Sequence, residues 1–238
     1  MNAKAKETKK GKYVWLAEGG LMIALSIVLE ILSKLIFPEM PYGGQVTFAA
    51  MLPVILVGWK YGIGKGLITG VSYALVEMVL GISTISKMVL PSSEDYLGSV
   101  WKIIAMILLD YLLAFTVLGL GGMYRKVIKN NATSLALGTF TVITLRYLCH
   151  VTSGYILFGG WAEWFFSTVS WGEGILEKYS GNLLSFIYSL IYNATYMLPE
   201  AIITTAVAVI VGNIPQLRSL GKKDKQEQKP EQKPEQKQ

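Results

Sequence analysis

The sequence predicts an all-α membrane protein of six transmembrane helices with both termini in the cytoplasm. Three observations lead there. The 238 residues are 52% hydrophobic and only 16% charged, and the mean hydropathy of +0.44 lies well above that of ordinary soluble domains. Basic residues gather in alternate connections. A helix crosses the hydrocarbon layer in roughly 20 apolar residues, so this chain has material for about six crossings joined by short connections.

The first predicted helix runs from Val14 to Phe37 and stops at Pro38, before the turn-rich stretch that ends in Tyr42-Gly-Gly. The basic residues before it imitate a signal peptide, but the apolar run is longer than an h-region and lacks a small-x-small site. The second, Thr47 to Gly58, is short, and Pro53 inside it predicts a kink or a shallow crossing. A glycine-rich turn over Gly58 to Gly66 leads to a third helix ending near Gly81, followed by a polar loop over 83–98. The fourth spans Val100 to Met123, and the basic turn Arg125 to Asn131 precedes the fifth, Ala132 to Phe158. A Trp-rich loop over 159–181 suits the membrane interface or a lid, and the sixth helix runs from Leu183 to Val211.

Orientation follows from Lys and Arg. The connections assigned to one side carry thirteen, whereas the other side has only Lys87 and Lys178. The positive-inside bias therefore places both ends in the cytoplasm. Three regions result: a basic N-terminus over 1–13, a membrane domain over 14–212, and a charged tail over 213–238 whose Lys-Pro-Glu-Gln repeats have nothing to bury and are expected to be disordered. The net charge of +6 fits these flanks better than it fits a nucleic-acid surface. Cys149 is the only cysteine and His150 the only histidine, so neither a disulfide nor a metal cluster is expected. The Gly62-Ile-Gly-Lys-Gly stretch lacks the Walker spacing, so concentrative uptake needs an ion gradient or a separate ATPase.

Polar and ionisable groups inside the hydrocarbon are costly, by about 2.5–3.5 kcal/mol on insertion scales, which makes each one a functional candidate. Glu18, Glu30, Glu77, Asp110, Arg146, His150, Asn193 and Glu200 qualify, with Glu18 and Glu200 expected to be structural. Asp110 lies about ten residues into its helix, where a carboxylate needs a partner. That partner is either a cationic ligand or Arg146. Arg146, His150, Gly154 and Phe158 fall at four-residue steps on one stripe. There Gly154 would let a flat ring approach the backbone. Tyr188, Tyr192, Asn193 and Tyr196 add phenol and amide groups suited to a heteroaromatic ligand or to interhelix hydrogen bonds. Gly20 and Ala24 form a small-xxx-small pair for close helix approach.

The runs Asp110-Tyr111, Arg146-Tyr-Leu-Cys-His150-x-x-x-Gly154, Tyr188-Ser-Leu-Ile-Tyr-Asn193 and Leu16-Ala-Glu-Gly-Gly-Leu-Met-Ile-Ala24-Leu resemble the thiamine-specific substrate-binding (S) components of energy-coupling factor (ECF) transporters. The resemblance extends over most of residues 14 to 212. It implies six helices around an outward-facing thiamine site in the cell membrane, and assembly with an ECF coupling membrane protein and two ATPase subunits through Gly20 and Ala24. It also implies that Asp110 lies near the thiazolium with Tyr111 and His150 beside it, that Tyr188 and Asn193 stack on or hydrogen-bond the vitamin, and that Tyr42 is a lid aromatic. The family often has Glu where this chain has Asp110, and Phe158 stands where a stacking Trp is expected. No cofactor and no catalysis are implied. Two other readings stay open: an S component for hydroxymethylpyrimidine or a pyridoxine-like vitamin, and a membrane enzyme using Asp110 and His150 as acid and base, which lacks a nucleophile or second carboxylate at matched spacing.

Overall fold

The structure is a computed structural model that describes residues 13–38, 40 and 43–217. The described residues form helices and connecting turns only. Five helical segments are long and apolar enough to cross a membrane: Val14–Lys34 (α1), Ile63–Leu80 (α3), Val100–Gly122, Asn131–Leu157 (α7) and Gly181–Gly212 (α10). Between α1 and α3 lies Leu52–Tyr61 (α2), apolar but only 10 residues long. This multi-helix apolar architecture is that of a multi-pass membrane protein.

Several boundaries differ from the expected ones for identifiable reasons. α1 stops at Lys34, three residues before Phe37. Pro53 falls in the first turn of α2, where a missing N–H costs nothing, so no kink arises and residues 43–51 form irregular backbone ahead of the helix. The expected glycine-rich turn over Gly58 to Gly66 shrinks to one residue. Only Gly62, at φ +91°, takes a left-handed conformation, and Gly64 and Gly66 continue into α3. The loop expected over 83–98 begins as the helix Ile82–Val89 (α4), and the Trp-rich stretch contains Ala162–Thr168 (α8) and Glu173–Leu176 (α9).

The segment Val100–Gly122 is not uniform. It opens as Val100–Met106 (α5), widens into a π-helix at Ile107–Leu113, returns briefly to Ala114–Thr116 (α6) and tightens to a 3₁₀ turn at Val117–Gly122. The π stretch carries Asp110 and Tyr111. Its i→i+5 bonding turns successive side chains through less than the 100° of an α-helix, so these two neighbours face one cavity. Such π insertions occur frequently at functional sites.

One end of the bundle is closed by backbone-on-backbone packing. A Cβ on Gly66 would overlap the Gly119 carbonyl oxygen and lie 2.5 Å from the Gly58 Cα, and a Cβ on Gly138 would overlap the Gly121 oxygen. Small residues allow this approach, which a membrane bundle needs because lipid supplies no hydrophobic drive between helices. Trp59 is fully buried there and donates to Ser134 Oγ at 2.8 Å. α1 is attached loosely, its buried residues being Gly19, Ser26 and Ser33, and near its start Glu18 pairs with Lys60 at 2.5 Å. Glu18 is therefore structural, as expected.

Gly66→Ala is expected to lower the thermal midpoint in detergent by several degrees, consistent with about 1–3 kcal/mol of overpacking. Gly20→Ala, whose new Cβ meets nothing within 4 Å, is expected to leave the midpoint unchanged. Equal midpoints for the two variants would contradict this packing.

Candidate functional site

A cavity of about 260 Å³ lies between α1, α3, the π-helix, α7 and α10. Its lining brings together Asp110, Tyr111, Arg146, His150, Gly154, Phe158, Tyr188 and Asn193, from three separate stretches of sequence. Tyr42 lies outside the described residues, although the neighbouring Gly43 and Gly44 reach the cavity wall. Gly20 and Ala24 are exposed on α1 and do not line it.

Asp110 has partners within the protein. His150 Nδ1 lies 2.8 Å from its Oδ1, and the Ser153 hydroxyl donates to its Oδ2. Among the described residues no ion pair joins Asp110 directly to Arg146. His150 stands between them. Arg146 Nε donates to His150 Nε2 at 3.2 Å. Because a guanidinium has no acceptor, Nε2 must accept and Nδ1 carries the proton given to Asp110. The Arg146 guanidinium also lies over the Phe115 ring, 4.2 Å from its centroid, and donates to Met51 Sδ. That ring contact stabilises a desolvated cation by about 0.5–2 kcal/mol.

The α10 face is aromatic. Tyr188, Tyr192 and Tyr196 rise at four-residue steps, with adjacent centroids 5.5 and 6.4 Å apart. Phe165 of α8 packs edge-on against Tyr188 and Tyr192 at 5.4 and 5.6 Å. The Trp-rich stretch therefore contributes buried Phe165 and Phe166 beside the site, while Trp164 and Trp171 stay exposed. Phe158 stacks on Trp161, 5.1 Å away and inclined by 17°. A tryptophan thus backs the phenylalanine that occupies the expected stacking position.

Two residues behave differently from the simple expectation. Asn193 is largely satisfied by its own bundle: its Nδ2 donates to the Ser189 and His150 carbonyls, and its Oδ1 accepts from Tyr196 at 2.6 Å. Gly154 lines the cavity, yet a Cβ there would overlap Ser189 Oγ and approach Asn193 Nδ2 at 3.2 Å. What its missing side chain accommodates is α10, not a flat ring. Ser189 completes this joint by donating to the Val151 carbonyl at 2.7 Å.

The cavity edge near residues 43–47 is fixed by Glu200. Its carboxylate accepts from Thr47 N at 2.5 Å, Thr47 Oγ1 at 2.8 Å and Thr204 Oγ1 at 2.9 Å. α10 continues past the neighbouring Pro199. Tyr192 Oη holds the same edge by donating to the Gly43 carbonyl at 3.2 Å. Thr47, Met51, Tyr73 and Phe115 were not singled out from the sequence. Only burial and position around the bundle reveal them, because each is an ordinary residue of an apolar segment. Glu30 and Glu77 were recognisable as intramembrane acids, and both line the cavity.

These features form a polar, aromatic-walled chamber within the bundle of a multi-pass membrane protein. Comparison with known proteins makes this specific. The family model described as thiamine transporter protein (Thia_YuaJ) matches residues 16–218. The thiamine transporter ThiT of Bacillus subtilis (strain 168) is 31% identical over 207 residues, covering 83% of this chain and 90% of that protein. The chain belongs to the thiamine transporter family, and is a transporter rather than an enzyme.

Glu200→Ala is expected to release the 43–51 segment, with amide hydrogen exchange there at least about tenfold faster, since charge-assisted hydrogen bonds contribute about 1.5–3 kcal/mol each. Exchange in α3 should stay unchanged. Uniform acceleration across both segments would show instead that Glu200 supports the whole bundle.

Proposed function

We propose that this chain is the vitamin-capturing S component of an ECF-type uptake system. It binds thiamine in the cell membrane and depends for transport on a coupling membrane protein and two ATPase subunits. The observation that carries this reading is the chamber itself, which combines acids with the Arg146–His150 pair and an aromatic wall in the volume of a small ring ligand. Thiamine joins a permanently charged thiazolium to an aminopyrimidine. The first matches acids and ring faces; the second matches the phenol, imidazole and amide groups of Tyr188, His150 and Asn193. Phe158 and Tyr111 provide further ring faces, and Asp110 contributes negative potential while orienting His150. No step forms or breaks a covalent bond.

In this reading α2 is the sixth, short crossing, and both termini lie in the cytoplasm, as the alternation of basic connections requires. Gly20 and Ala24 form the docking face for the coupling protein. Support comes from the exposure of both residues and the open space around Gly20.

Tryptophan fluorescence of the purified protein tests the ligand, because Trp161 stacks on a residue of the cavity wall. Thiamine is expected to quench it saturably, with the isolated hydroxymethylpyrimidine binding at least about tenfold more weakly, a difference of about 1.4 kcal/mol. Tighter binding of the pyrimidine would instead favour a precursor transporter. For assembly, Ala24→Leu is expected to abolish vitamin uptake in cells carrying the complete system while leaving thiamine binding by the isolated chain unchanged. Normal uptake by that variant would remove α1 from the docking face.

A further inference from the structure

Among the described side chains lining the chamber are three carboxylates, Glu30, Glu77 and Asp110, and two fixed cations, Lys34 and Arg146. The wall thus carries one more acidic than basic side chain. The partners of these groups show where that excess resides. Asp110 is held through one oxygen by His150 and through the other by Ser153. Glu30 pairs with Lys34 one turn along α1 at 3.3 Å. Glu77 on α3 has no such cation. Only 8% of it is exposed, and its Oε1 has no hydrogen-bond partner. The rest of the carboxyl hydrogen-bonds with Tyr73 and with a second acid, Glu30.

Placing a negative charge on a buried carboxyl that has no cation and one unpartnered oxygen carries a desolvation cost. A guest that brings a positive charge removes that cost, whereas a neutral guest of the same shape does not. We propose that Glu77 is the residue that meets the positive charge of the ligand, and that Asp110 is a positioning residue which fixes the orientation of His150. The assignment rests on the reading of the chamber as a thiamine site. It differs from the expectation drawn from resemblance, in which Asp110 lies nearest the thiazolium. The guest then spans the chamber: its charged ring lies against the wall formed by α1 and α3, where Glu77 is flanked by Glu30 and Tyr73, and its uncharged ring lies toward α7 and α10, where His150, Tyr188 and Asn193 supply neutral polar groups.

The experiment compares thiamine with its neutral isostere, in which carbon replaces the charged ring nitrogen so that a thiophene stands in place of the thiazolium. Dissociation constants of both are measured for the full chain in detergent, as wild type, Glu77→Gln and Asp110→Asn. Wild type is expected to prefer the cation by about tenfold or more. Glu77→Gln should bring the two constants within about twofold of each other, chiefly by weakening thiamine. Asp110→Asn should weaken both ligands by similar factors and keep the preference. Should Glu77→Gln not yield folded protein, Glu77→Met is read in the same way, since replacing a buried carboxyl by an apolar chain of similar shape suits a low-dielectric bundle. If wild type binds both compounds and the Glu77 variant keeps the preference, or if Asp110→Asn abolishes it, the assignment is overturned while the thiamine site stands. If wild type binds neither compound, the thiamine reading fails and the assignment with it.

Discussion

A charged group inside a bundle of apolar helices must be held by something other than water, and the way Asp110 is held organises the rest of the site. His150 and Ser153 both come from α7 and both face the π-helix. Their bonds tie the irregular fourth segment to α7. Arg146 joins from one turn earlier on α7 through His150. Carboxylate, imidazole and guanidinium thus form a hydrogen-bonded relay between the π-helix and α7, and polar networks of this kind rigidify a core.

Around this relay the bundle divides into two unlike halves. On one side, glycines bring α2, α3 and the 3₁₀ turn into direct backbone contact, leaving no space for a guest. On the other, tyrosines of α10 and the irregular 43–51 segment hold the walls apart and leave a chamber. The contrast follows from side-chain size alone: small residues let helix axes approach, whereas ring-bearing residues braced edge-on keep them apart. A static, closed end and an open, polar end are the layout expected of a protein that must hold a ligand within the membrane.

Much of this was legible in the sequence, because cost in lipid makes intramembrane polar residues conspicuous. Four-residue spacing placed Arg146, His150, Gly154 and Phe158 on one stripe, and all four line the chamber. What the sequence concealed was geometry that depends on a partner. Asp110 was recognisable as needing a counterpart, but its pairing with Ser153 required knowing that the π-helix faces α7. Gly154 looked like room for a ring; across the interface it meets Ser189. Pro53 looked like a kink because a proline is judged by its distance from the helix start, and the apolar run began earlier than the helix did. The identity of the wall residues Tyr73 and Phe115 was hidden for a simpler reason: an aromatic residue in an apolar segment faces lipid or interior with no local sign of which.

The clasp between Thr47 and Glu200 has a mechanical consequence. The strand of backbone that it pins forms one rim of the chamber, and Tyr192 pins the same rim from a second point on the same helix. Any movement of this rim therefore has to break bonds at two points of α10, so the width of the chamber on that side is set by one helix.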